Sequence, residues 1–418
     1  MKIESTKKIL YLTWDGLTDP LGNSQILSYL KGLSNNGYEI YIVSLEKPLR
    51  YKDGQDIIKN MLVNSNIHWI HGTYRSAIKG FSTIVNLFFF SRLAHKVFKR
   101  NNIQFGHARG YIPALVLHWL KRYHGVPFIF DMRGLWPDEK VEGGRWNLRN
   151  PIYLVTYKVF KFLEQVLLRS SDRIVVLTWR AKKIIEQWGN ENNYSVRVDV
   201  IPCCADLDHF NFIKYGNEWK LRQRSHYKIS ESEKVLCYLG SLGSWYMLDE
   251  MLDFYKAFEN YYHDSTFLFI TQDDFKEIIY ERALTKEINH NNIKVLSLQY
   301  IDVPKVASIA DFAISFIRPT FSKQASSPTK IGELLSLGIP VFINSGVGDL
   351  DYIIDNYKCG VKVLNFTIPE YVSAIAKGNT FLSMPASDIA NVAKENFSLD
   401  TGIDIYKNIY DDFINDNI

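Results

Sequence analysis

A run of small, hydroxyl and basic residues leads straight into an apolar helical pattern in ASSPTKIGELLSLGIPVFINS, residues 325–345. Ser327 is predicted to be the helix N-cap, because a serine side chain can accept a hydrogen bond from a first-turn N–H. Pro328 then falls at the first helical position, where its missing N–H costs nothing. Gly338 is predicted to end the helix, and a strand follows. These features alone would make an ordinary, well-capped helix.

The basic residues around this helix start indicate a ligand. Arg318, Lys323 and Lys330 are expected to converge on a helix N-terminus, whose free N–H groups and dipole already favour an anion. Added cations are unfavourable there unless a negative group arrives, and phosphate is the natural candidate. Glu333 lies about one turn further on, where a carboxylate can accept hydrogen bonds from ribose hydroxyls. The alternative is that Glu333 is a solvated residue paired with Lys330.

Two glycine-bearing loops follow predicted strands. In LGSLGSWY, Gly240 and Gly243 would let the backbone approach a ligand, and Ser241 adds a donor. In DGLTDPLGNSQ, residues 15–25, Gly22 precedes a predicted helix, and Asp15 and Asp19 place carboxylates near the expected ligand. Tight turns without any function explain both loops equally well.

A fourth loop, FDMRGLWPDE, carries charge at the end of a buried strand. Asp131 and Arg133 would be costly there unless they pair with each other or meet a ligand. Trp136 offers a rigid wall for a sugar ring. His107 and Arg109, in GHARGY, end a neighbouring predicted strand. A purely structural Asp–Arg pair is the alternative.

The order of elements needed to position these loops is strand, helix, strand, repeated twice along the chain, which predicts βαβ units. The fold class is therefore α/β, with two Rossmann-like doubly wound parallel-sheet domains. We place them at residues 1–205 and 206–395, with residues 396–418 as a helix that packs back on the first domain. Strand-end loops of such sheets gather ligands, so a cleft between the domains is the expected site.

Composition narrows the class of protein. The chain has 418 residues, 46% of them apolar and 22% charged, as in packed globular proteins. A formal net charge of +4 does not by itself argue for nucleic acid. The four cysteines form no CxxC pair, so a reducing, cytoplasmic compartment is expected, without a zinc site. The start of the chain lacks a signal-peptide layout, and the longest apolar run is far short of the ~20 residues that span a bilayer.

One stretch, IVNLFFFSRLAHKVFKRNN, combines apolar residues at helical spacing with basic residues. Such a helix can lie on an anionic membrane surface. The alternative is an ordinary core-facing helix with a basic, solvated edge.

Together these loops resemble those of a retaining glycosyltransferase of the GT-B fold, family 4, of the type that builds bacterial surface polysaccharides. The resemblance rests on the glycine loop after the first strand, on FDMRGLWPDE, on YLGSLGSWYMLDEML and, most specifically, on SSPTKIGELLSLGIPVF. It implies that the first domain takes the acceptor and that the second holds the nucleotide sugar, with Glu333 on the ribose. The implied donor-binding residues are Gly22, Gly240, Ser241, Gly243, Arg318, Lys323, Ser326, Ser327, Pro328, Thr329 and Glu333. The candidate catalytic residues are Asp131, Arg133, Lys330, Asp19 and His107, and the candidate acceptor-binding residues are Arg109, Trp136 and Asp15.

The sequence departs from the family pattern in three places. Many members carry a second glutamate eight positions before Glu333, where this chain has Ala325. Many carry a histidine in the loop that here reads FDMRG. The usual Arg/Lys pair is missing from GSLGSWYM, so Arg318, Lys323 and Lys330 would have to neutralise the leaving phosphate.

The expected activity is therefore hexosyl transfer from a nucleotide-diphosphate donor, most simply a UDP-sugar, to a hydroxyl of a glycan or lipid-linked glycan. No cofactor, metal ion or nucleic acid is expected. Peripheral contact with the inner face of the cell membrane is expected. Two other functions fit the same residues: a UDP-sugar epimerase on the same fold, and a non-catalytic nucleotide-sugar-binding protein. A CMP-sugar donor is also compatible with a short serine loop.

Overall fold

The computed structural model describes residues 7–19, 22–76, 82–271 and 274–415. The chain divides into two compact units. Unit 1 comprises Met1–Pro202 together with Leu399–Ile418, and unit 2 comprises Cys203–Ser398. The last helix of the chain therefore belongs to the unit that contains its beginning.

Unit 1 is built on a seven-stranded, fully parallel sheet in the order β3-β2-β1-β4-β5-β6-β7. Its strands are β1 (Lys7–Thr13), β2 (Tyr38–Glu46), β3 (Ile67–Thr73), β4 (Phe105–Arg109), β5 (Phe128–Asp131), β6 (Arg173–Val176) and β7 (Val198–Val200). The central strands are short and mostly apolar because helices cover them on both faces, although β4 also carries His107 and Arg109. The strand order reverses between β1 and β4, which is where ligands bind in open sheets of this kind.

The helices of unit 1 begin with a short π-helical segment, Asn23–Leu27, that continues directly into α1. They are α1 (Ser28–Asn35), α2 (Pro48–Leu62), α3 (Ser82–Asn101), α4 (Tyr111–His124), α5 (Trp136–Glu142), α6 (Pro151–Ser170), α7 (Trp179–Glu191) and, at the end of the chain, α16 (Leu399–Asn415). α16 packs against α1, and Gly32 of α1 is what permits it. A Cβ atom on Gly32 would lie 2.3 Å from Ile403.

Unit 2 repeats the design with six parallel strands in the order β10-β9-β8-β11-β12-β13. The strands are β8 (Lys234–Leu239), β9 (Ser265–Ile270), β10 (Ile293–Leu296), β11 (Phe312–Ser315), β12 (Val341–Asn344) and β13 (Gly360–Val363). The helices are α8 (Asn217–His226), α9 (Leu248–Tyr262), α10 (Lys276–Thr285), α11 (Val303–Ala307), α12 (Thr329–Ser336), α13 (Leu350–Asn356), α14 (Ile368–Gly378) and α15 (Ala386–Phe397). The order reverses between β8 and β11, so the loops after these two strands lie side by side.

The predicted fold class of two doubly wound parallel sheets is confirmed. The sequence analysis missed β13, a four-residue edge strand that alternates between partly exposed and buried residues and lacks the apolar run of its neighbours. Within the described ranges, no helix is both long and apolar enough to cross a bilayer.

Candidate functional site

The start of α12 differs by one residue from the prediction. The helix begins at Thr329, so Pro328 is the N-cap residue and not the first helical residue. Ser327 does not cap the helix: its hydroxyl accepts a hydrogen bond from the backbone N–H of Cys203 at 3.1 Å. That serine instead ties the beginning of unit 2 to the helix start. The free N–H groups of the first turn are consequently not satisfied by Ser327.

The far end of α12 matches the prediction. Gly338 has φ +73°, and its N–H donates to the carbonyl of Leu335. The N–H of Ile339 donates to the carbonyl of Leu334. These two bonds form a Schellman motif, which ends the helix and turns the chain into β12.

The structure brings Lys330 against the first glycine loop of unit 2. Gly240 has φ +136°, and a Cβ atom there would lie 3.7 Å from the Lys330 side chain. The loop therefore adopts a backbone that L side chains rarely tolerate, directly beside a lysine in the first turn of α12. Ser241 and Gly243 follow in the same loop and are exposed. The carbonyl of Ser241 accepts a 2.7 Å hydrogen bond from Tyr238.

Glu333 is not a solvated residue. Its side chain is only 4% exposed, and Lys330 Nζ lies 3.5 Å from its Oε2. Among the described residues, that Oε2 atom is buried without a hydrogen-bond partner. A buried carboxylate oxygen with a lone ion-pair contact is costly, and a donor group supplied by a ligand would remove that cost.

The other two predicted cations occupy different environments. Lys323 is buried, and its Nζ lies 3.8 Å from the centre of the Trp245 ring. Arg318 is exposed, and its backbone N–H donates to the carbonyl of Trp245 at 2.9 Å. Trp245 therefore joins the glycine loop to the loop after β11, a contact that the sequence analysis did not anticipate. Ser326, Pro328 and Thr329 are half-buried along the approach to α12.

In unit 1, Asp131 lies at the centre of a buried polar cluster at the carboxyl edge of β4 and β5. Its carboxylate lies 3.6 Å from His107, 3.7 Å from Arg109 and 3.8 Å from Arg133. Arg109 pairs with Asp131 in the strand register, and His107 projects from the same face two residues earlier. The structure thus brings together four of the predicted site residues.

The last helix encloses this cluster. The Tyr406 hydroxyl donates to Asp131 Oδ2 at 3.0 Å, and the Tyr410 hydroxyl shares a 2.7 Å hydrogen bond with His107 Nδ1. Asp131 and His107 are 1% and 2% exposed. Their burial favours a structural, positioning role over that of a base that touches a substrate, since Arg109 and Arg133 are the more exposed members.

The charges of the cluster follow from its geometry. Burial by itself would raise the pKa of Asp131, but Arg133, His107 and Arg109 outweigh it and hold the pKa below its ordinary value. Burial lowers the pKa of His107, with Asp131 opposing. The cluster is therefore a carboxylate with two guanidinium groups and a neutral imidazole, which leaves it net positive. Arg133 sits at φ +56°, a backbone conformation uncommon for a side chain of its size.

Three further predicted residues lie elsewhere in unit 1. Asp19 is buried, and Lys47 Nζ and Arg50 bind its carboxylate at 2.9 Å and 2.8 Å. These cations occupy the oxygens that a catalytic base would need. Asp15 is exposed at the end of β1. Gly22 packs against the backbone of Leu17, where a Cβ atom would lie 2.3 Å from the carbonyl oxygen.

Glu46 organises the loop after β1, and the sequence analysis overlooked it. The carboxylate of this buried residue accepts hydrogen bonds from the Leu17 and Thr18 N–H groups and from the Thr18 and Ser44 hydroxyls. An acidic residue at the end of a largely apolar strand was the only available signal.

Trp136 begins α5 and is half-buried. Its ring contacts Tyr111, Trp146 and Phe160, and the Lys140 ammonium lies 5.2 Å from its centre. These aromatic neighbours and the nearby cation hold the ring in one orientation. Within the described part of the chain, no group of three or more His, Cys, Asp or Glu residues is arranged to hold a metal ion.

Comparisons with known proteins agree with this architecture. The family model described as Glycosyltransferase Family 4 matches residues 23–209. In sequence, no curated protein matches the chain. Sucrose-phosphate synthase from Thermosynechococcus elongatus has a similar structure, with a TM-score of 0.72 at 13% identity over 98% of this chain and 99% of that one.

Two other solved structures are similar over nearly their whole length. The Anabaena protein HepE, in complex with UDP and glucose, has a TM-score of 0.69 at 12% identity, covering 97% of this chain and 99% of that one. WaaG, a glycosyltransferase involved in lipopolysaccharide biosynthesis, has a TM-score of 0.65 at 13% identity, covering 95% of this chain and 99% of that one. The chain has the GT-B fold of these glycosyltransferases, and its residues 23–209 match the model of Glycosyltransferase Family 4.

Proposed function

We propose that the protein is a hexosyltransferase that moves a sugar from a UDP-sugar to a hydroxyl of a glycan or lipid-linked glycan. The observation that carries this proposal is the meeting of Lys330, the left-handed Gly240 and the buried carboxylate of Glu333 at the start of α12. A cation beside the N-terminus of a helix suits a diphosphate, and a buried acceptor oxygen suits ribose hydroxyls.

In the proposed reaction the bond between the anomeric carbon and the diphosphate oxygen breaks, and its electron pair goes to the diphosphate. The acceptor oxygen forms the new bond from the same face, so configuration is retained. The acceptor proton passes to the departing phosphate, and no protein nucleophile is required. Lys330 and the first-turn N–H groups of α12 stabilise the charge that builds on the leaving group.

Fixed cations take the place of a metal ion in this proposal. Lys330 supplies charge in the first turn of α12, and the exposed Arg318 supplies it from the loop after β11. Lys323 contacts the Trp245 ring and so links the loop after β11 to the glycine loop after β8. Ala325 is buried in the loop and offers no carboxylate to the donor sugar. Recognition of that sugar therefore depends on other groups of the loop, such as Ser326, Ser327 and Thr329.

Unit 1 is proposed to take the acceptor. Arg109 and Arg133 hold a net positive cluster at the carboxyl edge of its sheet, with Asp131 and His107 fixing their positions. Trp136 and Asp15 supply an aromatic wall and an exposed carboxylate for sugar hydroxyls. We propose that the acceptor is lipid-linked, as in surface polysaccharide assembly such as that of O-antigen or capsule, and that the enzyme works in the cytoplasm at the inner face of the membrane.

The comparisons support this proposal at the level of the fold. HepE was solved with UDP and glucose, and WaaG takes part in lipopolysaccharide biosynthesis.

Thermal shift with UDP, GDP, dTDP, ADP and CMP, followed by turnover assays, tests the function. UDP is expected to raise the melting temperature most, and UDP release from a UDP-sugar is expected to require a glycan acceptor. Conversion of donor alone into a new UDP-sugar would identify an epimerase. Binding of UDP without turnover against any acceptor pool would identify a binding protein, and a preference for CMP would replace the donor class.

A further inference from the structure

Three neighbouring helices of unit 1 present outward faces that the proposed reaction does not use. α4 contacts both of the others. On one side, the Trp119 ring packs edge-on against His95 of α3, with ring centres 5.5 Å apart. On the other side, His118 Nδ1 lies 2.8 Å from the Ser170 hydroxyl of α6. We call the outward faces of α3, α4 and α6 the basic aromatic face.

The outward side of α3 mixes large apolar and basic residues. Its inward side, which packs on the sheet, consists of Asn86, Phe90, Ala94 and Val97. Ile84, Phe88 and Phe89 are among the exposed large apolar residues of the chain, and Phe88 is 57% exposed. The exposed basic residues on the same side are Arg92, Lys96, Lys99 and Arg100.

α6 and α4 continue this pattern. On α6, Ile152, Val155, Val159 and Phe162 are all exposed, at spacings of three, four and three residues that place them along one side of the helix. Lys158 and Arg169 are exposed on the same side. On α4, the exposed residues at the C-terminal end are Trp119, Arg122 and Tyr123.

Acidic side chains do not reach solvent anywhere on this face. The sequences of α3 and α4 contain neither Asp nor Glu. The only acidic residue of α6 is Glu164, which is fully buried and bonded to Tyr111 and Lys161. An ordinary solvated helix surface alternates charges of both signs, whereas this one is positive throughout.

A shallow recess of about 530 Å³ lies along α3 within this face. Its lining residues are Phe89, Arg92, Leu93, His95, Lys96 and Lys99. Three cations around an apolar floor suit a group that combines a phosphate with a hydrocarbon. A free nucleic acid would use the cations but leave the aliphatic side chains of α6 exposed to water.

We infer that the basic aromatic face binds the surface of an anionic lipid bilayer. The aromatic and aliphatic side chains enter the headgroup region, and the lysine and arginine side chains contact lipid phosphates. This inference deepens the proposal that the acceptor is lipid-linked. The Trp136 ring, proposed as an acceptor wall, packs on Phe160 of α6 with ring centres 4.9 Å apart, so the face adjoins the acceptor residues.

Flotation of the full chain with lipid vesicles tests the inference. The chain is expected to float with an equal mixture of phosphatidylcholine and phosphatidylglycerol, and much less with phosphatidylcholine alone. Arg92→Glu combined with Lys96→Glu should weaken binding to the mixed vesicles by about 30-fold or more, because each basic residue near an anionic surface contributes roughly fivefold. A second variant, Val159→Ser with Phe162→Ser, should weaken it through α6 alone.

A matched control places the same charge reversal on unit 2. Lys377→Glu combined with Lys394→Glu changes two exposed helical lysines and should leave vesicle binding unchanged. Circular dichroism confirms that each variant is folded. Equal flotation with both vesicle types, or unchanged flotation of both face variants, would overturn the inference. Since no donor or acceptor is present, either result leaves the proposed transferase activity untouched.

Discussion

Lys330 and Glu333 illustrate how two residues of ordinary type acquire a specific environment. They are three positions apart on α12, where any lysine and glutamate would approach each other. What distinguishes them is that Glu333 is buried and Lys330 abuts a glycine with φ +136°. A buried carboxylate whose one ion-pair partner is a partly exposed lysine costs free energy in the unliganded protein, so the arrangement is better explained by binding.

Replacing Lys330 with alanine tests this explanation. We expect Lys330→Ala to lower kcat for transfer by about 100-fold or more, because a preorganised positive charge at the leaving group is removed. The helix should survive, since alanine favours helices and the lysine side chain is partly exposed. Steady-state rates with a UDP-sugar donor, together with the melting temperature, provide the measurement.

Lys377→Ala is the matched control, an exposed helical lysine of unit 2 outside the candidate site. It should keep the full rate. Near-normal turnover of Lys330→Ala would contradict the proposal that the start of α12 binds the phosphates of the donor.

At the scale of the elements, α12 is held in place by its neighbour α15. Gly332 faces α15 so closely that a Cβ atom would lie 2.8 Å from the Cβ and Cγ atoms of Phe397. Glycine within a helix costs about 1 kcal/mol relative to alanine, and this close approach explains why it is used here. The position of α12, which starts at the candidate site, therefore depends on its packing against α15.

We expect Gly332→Ala to lower the free energy of unfolding of unit 2 by about 1–2 kcal/mol, since the overpacking cost exceeds the gain in helix propensity. Chemical denaturation followed by circular dichroism gives the value. Gly243→Ala is the control, because its Cβ atom would meet open space. A Gly332→Ala protein as stable as the parent would show that α15 can move aside freely.

The last helix, α16, is fixed to unit 1 through Asp411. This carboxylate accepts hydrogen bonds from Lys7, Tyr38 and Lys407 at 2.7–3.0 Å. Burial opposes ionisation, but these three bonds outweigh it and lower the pKa of Asp411 from 3.8 to about 2. A folded-state pKa below the unfolded one means that the contacts stabilise unit 1 fully above about pH 4. That stabilisation disappears as the pH falls through 2.

Asp411→Asn should therefore destabilise unit 1 at neutral pH, and its deficit relative to the parent should shrink as the pH falls below 4. Urea denaturation followed by tryptophan fluorescence at several pH values measures this, because seven of the nine tryptophans lie in unit 1. Asp404→Asn makes the same change at an exposed position of the same helix and should have little effect. A deficit that is independent of pH would contradict the assignment.

At the scale of the whole molecule, the end of the chain completes the unit in which the chain begins. Tyr406 and Tyr410 of α16 close the cluster around Asp131 and His107, and Ile403 fills the space left by Gly32. Unit 1 therefore lacks a cover for its polar cluster until the final residues are present. Unit 2, Cys203–Ser398, is continuous in sequence.

Deletion of residues 399–418 should unfold unit 1 while unit 2 keeps its protease resistance, because only unit 1 loses part of its core. Limited proteolysis with mass spectrometry is expected to leave a fragment beginning near Cys203. Tyr406→Phe combined with Tyr410→Phe retains the ring packing and removes only the hydroxyl bonds, so it should weaken unit 1 by a smaller amount. Retention of both resistant units after the deletion would contradict the proposed dependence.

The sequence itself determined the repeated strand–helix order, because most strands are short, largely apolar runs and most of the helices between them have one apolar side. It also determined the end of α12, since Gly338 is the residue type that the Schellman turn requires. The same local signals misplaced the start of α12, since Ser327 has a more distant partner in Cys203. Local capping preference and a long-range hydrogen bond compete for one hydroxyl, and only the folded chain shows which prevails.

The residue types at the candidate site could likewise be predicted from the sequence, whereas their burial and their contacts could not. A reader of the sequence can place Asp131, His107 and Arg109 at strand ends, but not Tyr406 and Tyr410, which lie about 300 residues later and bury them. The burial of Glu333, the Lys323–Trp245 contact and the exposure of the apolar side of α6 were also decided by tertiary structure. Sequence periodicity reports which residues share a face; which faces become covered depends on elements that are distant along the chain.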